Sequence, residues 1–293
     1  MAKRRWKGLI PRIVRVLDLA ERFLTREVGT EADPEADVWA YRWREDRLLP
    51  VAHPDIYPLD ELLGVDRSLQ RLRANAAAFV RGEPALDMLL HGERGTGKSS
   101  AVRGLLGEFG PKGLRIVEVG REDLLDLGPL YAQLRGRDER FLLFCDDLSF
   151  EEGDASYKRL KAALSGGIEA RPDNVLLAAT SNRKYLLPER MSENRQAHLD
   201  SDGELRYGET TDEKISLSDR FGLLLPFFSF NQDTFLRIVD HHARRLGIAY
   251  RMSRGELHAR ALRFALDRSS RSGRTALQAC IAIGQELGPQ HEQ

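Results

Sequence analysis

Five short apolar runs alternate along the chain with stretches of helical periodicity. They are Leu86 to Leu90, Leu114 to Val119, Phe141 to Cys145, Asn174 to Thr180 and Leu223 to Phe228. Phe141 to Cys145 is apolar at every position, the pattern of a strand covered on both faces of a parallel sheet. Leu114 to Val119 is rich in β-branched residues, which favour strand. Leu69, Leu72, Ala76 and Phe79 fall on one face of a helix expected over Arg67 to Gly82. Further helices are expected over Ser100 to Phe109, ended by Gly110 to Gly113, and over Leu124 to Leu134 and Ala155 to Leu164. Upstream, Trp39, Tyr41 and Trp43 alternate with other residues as on a half-buried strand. After Phe230 the pattern becomes helical only. Asn231 or Asp233 caps a helix ending at Gly247, a second spans Gly255 to Leu266, and a third follows Ser272 to Thr275. The expected organisation is a helical and extended region over 1–55, an α/β domain over 56–230 and an α-helical domain over 231–293.

Composition narrows the class. An apolar fraction of 42% with 31% charged residues describes a globular protein stable in water. Lys plus Arg and Asp plus Glu both number 45, so net charge gives no support for nucleic acid or membrane binding. Two cysteines, Cys145 and Cys280, make no disulfide framework and point to a cytoplasmic location. No apolar run approaches the roughly 20 residues of a membrane helix. Arg12 and Arg15 break the apolar residues of the basic amino terminus, unlike a signal peptide. With Ile10, Ile13, Val14 and Leu17 these arginines form a basic amphipathic pattern, read as a helix packed on the main domain with a solvated edge. Glu189 to Lys214 is polar and reads as a loop or hairpin.

The candidate chemistry begins at Gly92 to Ser99, GERGTGKS: a glycine, four variable residues, then glycine, lysine and serine. The segment lies between a strand and a helix, the context in which this pattern cradles phosphates. Gly92, Gly95 and Gly97 permit positive φ angles and close approach. Backbone N–H groups through the loop, those of Glu93, Arg94, Thr96 and Ser100 among them, then face an anion together with the helix dipole. Lys98 is the charge for the β and γ phosphates, and the Ser99 hydroxyl is a Mg²⁺ ligand. Asp146 and Asp147 close the run FLLFC, at the carboxyl end of a strand, where open α/β sheets bind ligands. Asp146 is read as the carboxylate that holds Mg²⁺ through water, and Asp147 as the group that polarises attacking water, with Glu151 and Glu152 in reserve. Thr180 to Arg183 closes another strand, where a neutral amide can orient water.

Taken in order, these segments resemble the AAA+ ATPase superfamily over residues 55–290. GERGTGKS resembles Walker A, FLLFCDD Walker B, and ATSNR sensor 1, with Thr180 or Asn182 as the contacting residue. SLSDRFG resembles the segment of the arginine finger, which implies that role for Arg220, acting in trans. SGRTA resembles sensor 2 at the start of a lid helix, which implies that role for Arg274. Val65, with the leucines before it, resembles the motif beside the adenine pocket. The strings FCDDLSFEEGD, ARPDNVLLAATSNR and EKISLSDRFGL are similar to a prokaryotic ATPase family known as domain of unknown function 815. The resemblance implies a three-layer P-loop domain with a five-stranded parallel sheet, a C-terminal helical lid and a helical N-terminal extension. It also implies ATP and Mg²⁺ as cofactors, Mg²⁺-dependent hydrolysis and a homo-oligomer that remodels a macromolecular partner.

Two departures bear on mechanism. Asp147 stands where the superfamily usually has glutamate, and no aromatic–hydrophobic–glycine pore loop follows it. Alternatives to the remodelling ATPase are therefore a nucleic-acid-linked loader or initiator-like ATPase, a small-molecule phosphotransferase, and a nucleotide-gated scaffold with little hydrolysis.

Overall fold

The computed structural model describes residues 38–150, 170–183 and 220–288, together with residues 160, 186, 198–199 and 205–206. The expected N-terminal helix, the helix over Ala155 to Leu164 apart from Leu160, most of Glu189 to Lys214, and the reserve candidates Glu151 and Glu152 lie outside these residues. Contacts divide the chain at Val38, and every element below belongs to the unit Trp39–Gln293.

The sheet is built from β1 (Ala40–Arg44), β2 (Arg47–Pro50), β3 (Met88–Gly92), β4 (Leu114–Glu118), β5 (Arg140–Cys145), β6 (Val175–Ser181) and β9 (Leu223–Phe227). Its order is β2-β1-β4-β5-β6-β3-β9. A separate pair, β7 (His198–Leu199) and β8 (Leu205–Arg206), is antiparallel, as in a hairpin. The five expected parallel strands are β4-β5-β6-β3-β9. The five-strand expectation is corrected at one edge: β1 joins β4 in parallel, and β2 folds back antiparallel on β1, giving a mixed sheet of seven. The fold-back is a two-residue loop, Glu45-Asp46, between the paired Arg44 and Arg47. Both loop residues have positive φ, 49° and 56°, the backbone that matches the twist of a tight hairpin. The alternating aromatics form β1 as expected, and Trp43 is buried.

Six helices are described: α1 (Asp66–Val80), α2 (Lys98–Phe109), α3 (Gly128–Leu134), α4 (Gln232–Arg245), α5 (Arg254–Asp267) and α6 (Gly273–Glu286). The single helix expected over Leu124 to Leu134 is instead a 3-10 turn, Asp123–Leu125, followed by the shorter α3. Gly128-Pro129 accounts for the break, since proline lacks the N–H that a continuing helix needs and suits a first turn. Asn231, not Asp233, caps α4, with Oδ1 accepting from Thr234 N–H at 2.9 Å.

Successive residues of β5 serve opposite faces of the sheet. Leu142 and Phe144 join Leu72, Leu90 and Leu105 in one core, and Phe141 and Leu143 join Leu89, Leu130 and Leu134 in the other. This gives three layers, with apolar area buried on both sides of the sheet. The first core continues into α4 and α6 through Phe235, Val239, Ala276 and Ile283. Edge strand β9 tolerates Pro226, which faces His91 and has no N–H to offer an outer neighbour. No helix among the described residues is long and apolar enough to cross a membrane.

Register decides what emerges together. His91 pairs with Ser181, and Cys145 with Ala179. The carboxyl ends of β3, β5 and β6 therefore deliver Gly92, Asp146 and Asn182 to the same edge of the sheet.

Candidate nucleotide site

The loop after β3 is fixed by close backbone approach. Gly92 has φ 132°, and a Cβ there would lie 2.0 Å from the Phe227 carbonyl oxygen. Glu93 N–H donates to that same oxygen at 3.1 Å, so the loop starts on the backbone of β9. Thr96 Oγ1 donates to the Glu93 carbonyl at 2.8 Å, and Gly97 enters α2 with φ 102°. These positions require glycine because an L side chain is strained there and, at Gly92, has no room.

Lys98 Nζ donates to the carbonyls of Gly92 (2.8 Å) and Glu93 (2.7 Å) and to Asn182 Oδ1 (3.0 Å). Burial pushes its ammonium down from 10.5 to about 8; Asp147 and Asp146 oppose the shift, and Arg274 and Arg94 add to it. Ser99 Oγ donates to Asp146 Oδ1 at 2.6 Å, and Thr180 Oγ1 donates to the same oxygen at 2.5 Å. Thr180 Oγ1 in turn accepts the N–H of Asp147 at 2.9 Å. Asn182 Nδ2 donates to Asp147 Oδ1 at 2.6 Å, so one amide bridges Lys98 and Asp147. Both sensor candidates are therefore engaged, Thr180 buried and Asn182 half-buried.

Ser99 and Asp146 present hard oxygen atoms side by side. No group of three or more His, Cys, Asp or Glu that could hold a metal occurs among the described residues. That donor set fits Mg²⁺, which keeps waters and substrate phosphates in its shell and takes one or two protein oxygens.

A cleft of about 640 Å³ opens here, lined by Arg94, Gly95, Thr96, Gly97, Lys98, Ser99, Ser100, Asp146, Asp147, Asn182 and Arg274. Gly92 and Glu93 act from beneath, through the carbonyls that hold Lys98. Val65 is not in the wall: it is buried in the core at the start of α1, and Leu62 and Leu63 line the cleft in its place. Arg220 is exposed just before β9 and does not line the cleft either. Sequence reasoning missed Tyr57, Glu61, Arg103, Phe230, Ile238, His242 and Leu277, which with Thr180 and Gly273 complete the wall. The apolar stripe of α4 could have flagged Ile238; nothing in the pattern marks His242.

The fold, a phosphate-loop motif at the edge of a mixed α/β sheet followed by a helical C-terminal part, is shared with solved structures. Three variants of RuvB from Thermotoga maritima share the fold: two superpose with TM-score 0.52 at 18% and 17% identity, covering 78% of this chain and 70% of theirs. The third gives 0.50 at 20% identity, over 78% and 71%. No curated protein matches the sequence. The chain belongs to the family described as "Protein of unknown function (DUF815)", whose model matches residues 36–286.

Proposed function

We propose that the chain binds ATP with Mg²⁺ in this cleft and hydrolyses it within a homo-oligomer, driving the remodelling of a macromolecular partner in the cytoplasm. The observation that carries the reading is the shared Asp146 oxygen, which accepts from Ser99 and Thr180 while Asn182 joins Lys98 to Asp147. Bound Mg²⁺ would supply charge neutralisation at the phosphates. Lys98 and the loop amides would position the triphosphate, Ser99 and Asp146 would hold the metal, and Arg274 would face the γ phosphate from α6. Asp147 would orient and deprotonate the attacking water. Arg220, exposed and outside its own cleft, is assigned to a neighbouring subunit's site. The free, buried thiols of Cys145 and Cys280 support a reducing compartment.

The test is ATP turnover by wild type, Lys98→Ala, Arg220→Ala and an equimolar mixture of the two variants. Each variant alone should lose about 10³-fold or more, the range of an arginine finger, and the mixture should regain activity. Undiminished turnover by a monomeric Arg220→Ala chain would refute the shared site. One observation favours slow hydrolysis, as in a nucleotide-gated scaffold: the short Asp147 carboxylate is already tied to Asn182.

A further inference from the structure

Beyond the charged cluster, the wall of the cleft is apolar at Leu62, Leu63, Ile238 and Leu277, with Tyr57, Glu61, Arg103 and His242 among them. Three of those four polar groups are engaged, Arg103 through an ion pair of its Nη1 with Asp55 at 3.2 Å. Glu61 is ion-paired with Arg245 and lies 3.6 Å from His241 Nε2, and the Tyr57 hydroxyl meets the Arg245 side chain. His242 is the exception. It is only 9% exposed, it lines the cleft, and among the described residues nothing hydrogen-bonds its ring. The ring of His241 packs against it edge-on, with centroids 5.4 Å apart. Burial, reinforced by His241 and Arg245 and opposed by Glu61, pushes the imidazole from 6.5 down to about 4, so it is neutral at physiological pH. Buried polar side chains are nearly always hydrogen-bonded, and a ring that faces a ligand cleft without a protein partner is open to one from a bound ligand.

We propose that His242 reads the base of the bound nucleotide through a hydrogen bond from its ring to the polar edge of a purine seated against Leu62, Leu63, Ile238 and Leu277, and that it reads permissively, holding ATP and GTP within about tenfold of each other. The inference rests on the reading of the cleft as a nucleoside triphosphate site. The permissiveness follows from the imidazole itself, which offers one donor and one acceptor nitrogen that exchange roles with the tautomer. It can meet the exocyclic amine of adenine or the carbonyl of guanine. Glu61, an acceptor only, is held by Arg245 and imposes no choice.

The experiment is calorimetric titration of the full chain with Mg·ATP, Mg·GTP and inorganic tripolyphosphate, with thermal unfolding of each variant as the check on folding. Wild type should bind ATP and GTP within about tenfold, and His242→Ala should weaken both by about tenfold, the loss of one good hydrogen bond. Tripolyphosphate, which has no base, should bind the variant as it binds wild type. His242→Gln, which keeps a neutral donor and acceptor, should recover most of the loss. Equal weakening of tripolyphosphate by His242→Ala would overturn the proposal, because the ring would then only support the fold. Unchanged nucleotide affinity in that variant, or a wild-type preference between the two purines above about tenfold, would overturn it too. Failure of the nucleotide reading looks different: tripolyphosphate would not bind wild type, or would bind Lys98→Ala equally well.

Discussion

Asp147 has a backbone φ of 54°, in the left-handed region, where a short aspartate is tolerated better than a longer side chain. Its Oδ1 is fixed by Asn182, and a glutamate would carry the carboxylate one methylene past that contact. Asp147→Glu should therefore lower stability by up to about 1 kcal/mol, read from denaturant unfolding. Asp147→Asn should keep ATP binding and abolish hydrolysis in single-turnover measurements. Lys98 adds a pH signature. Its folded-state value, about 8, lies below its ordinary 10.5, chiefly through burial. Between those values the unfolded chain binds more protons, so stability should rise with pH across that window, as the penalty for burying the charge is lifted. A triphosphate needs the charged form, so above about pH 8 binding must draw in a proton, and affinity should fall by up to about tenfold per pH unit. Calorimetry in buffers of different ionisation heat measures that uptake, and Lys98→Met should abolish it.

Strand β3 owes its placement partly to the residue before it. Asp87 Oδ1 accepts from Leu177 N–H in β6 at 2.9 Å, and both carboxylate oxygens accept from Arg171 Nη1, at 2.7 and 2.6 Å. This contact holds the β3–β6 register that sets Gly92 level with Asn182. Asp87→Ala should destabilise by about 1.5–3 kcal/mol in urea unfolding, and Asp87→Asn, which keeps an acceptor for Leu177, should recover part of that. The five parallel strands and the phosphate loop were legible because short apolar runs alternated with helical periodicity, and the loop carried its glycine, lysine and serine in one contiguous stretch. The β1–β2 hairpin was not, because Glu45-Asp46 adopts positive φ without the Asn or Gly that advertises such a turn. The wall of the cleft was only half legible. Loop residues are contiguous in sequence, whereas Leu62, Ile238, His242 and Leu277 converge only through the packing of α4 and α6 on the sheet. Val65 was misplaced for the same reason: three residues apart along the chain, Leu62 faces the cleft and Val65 the core.

Assembly is the level at which the exposed Arg220 acquires its assigned role. If each site needs a neighbour's arginine, turnover per subunit should rise with protein concentration as subunits associate, and the rise should vanish in Arg220→Ala. Sedimentation at the same concentrations links the rate to the oligomer.

The phosphate loop and α6 also share a backbone joint. Arg274 N–H donates to the Gly95 carbonyl at 3.2 Å. A Cβ on Gly95 would come within 2.8 Å of Ser272 Oγ and 3.0 Å of Arg274 Cβ, so the loop and the first turn of the helix are keyed together. Fourteen residues of α helix behave as a lever arm roughly 21 Å long, and a tilt of about 5° at the keyed end swings the far end by about 2 Å. Through that joint, a slight displacement of the loop would shift the surface around Glu286 by more than the length of a carbon–carbon bond.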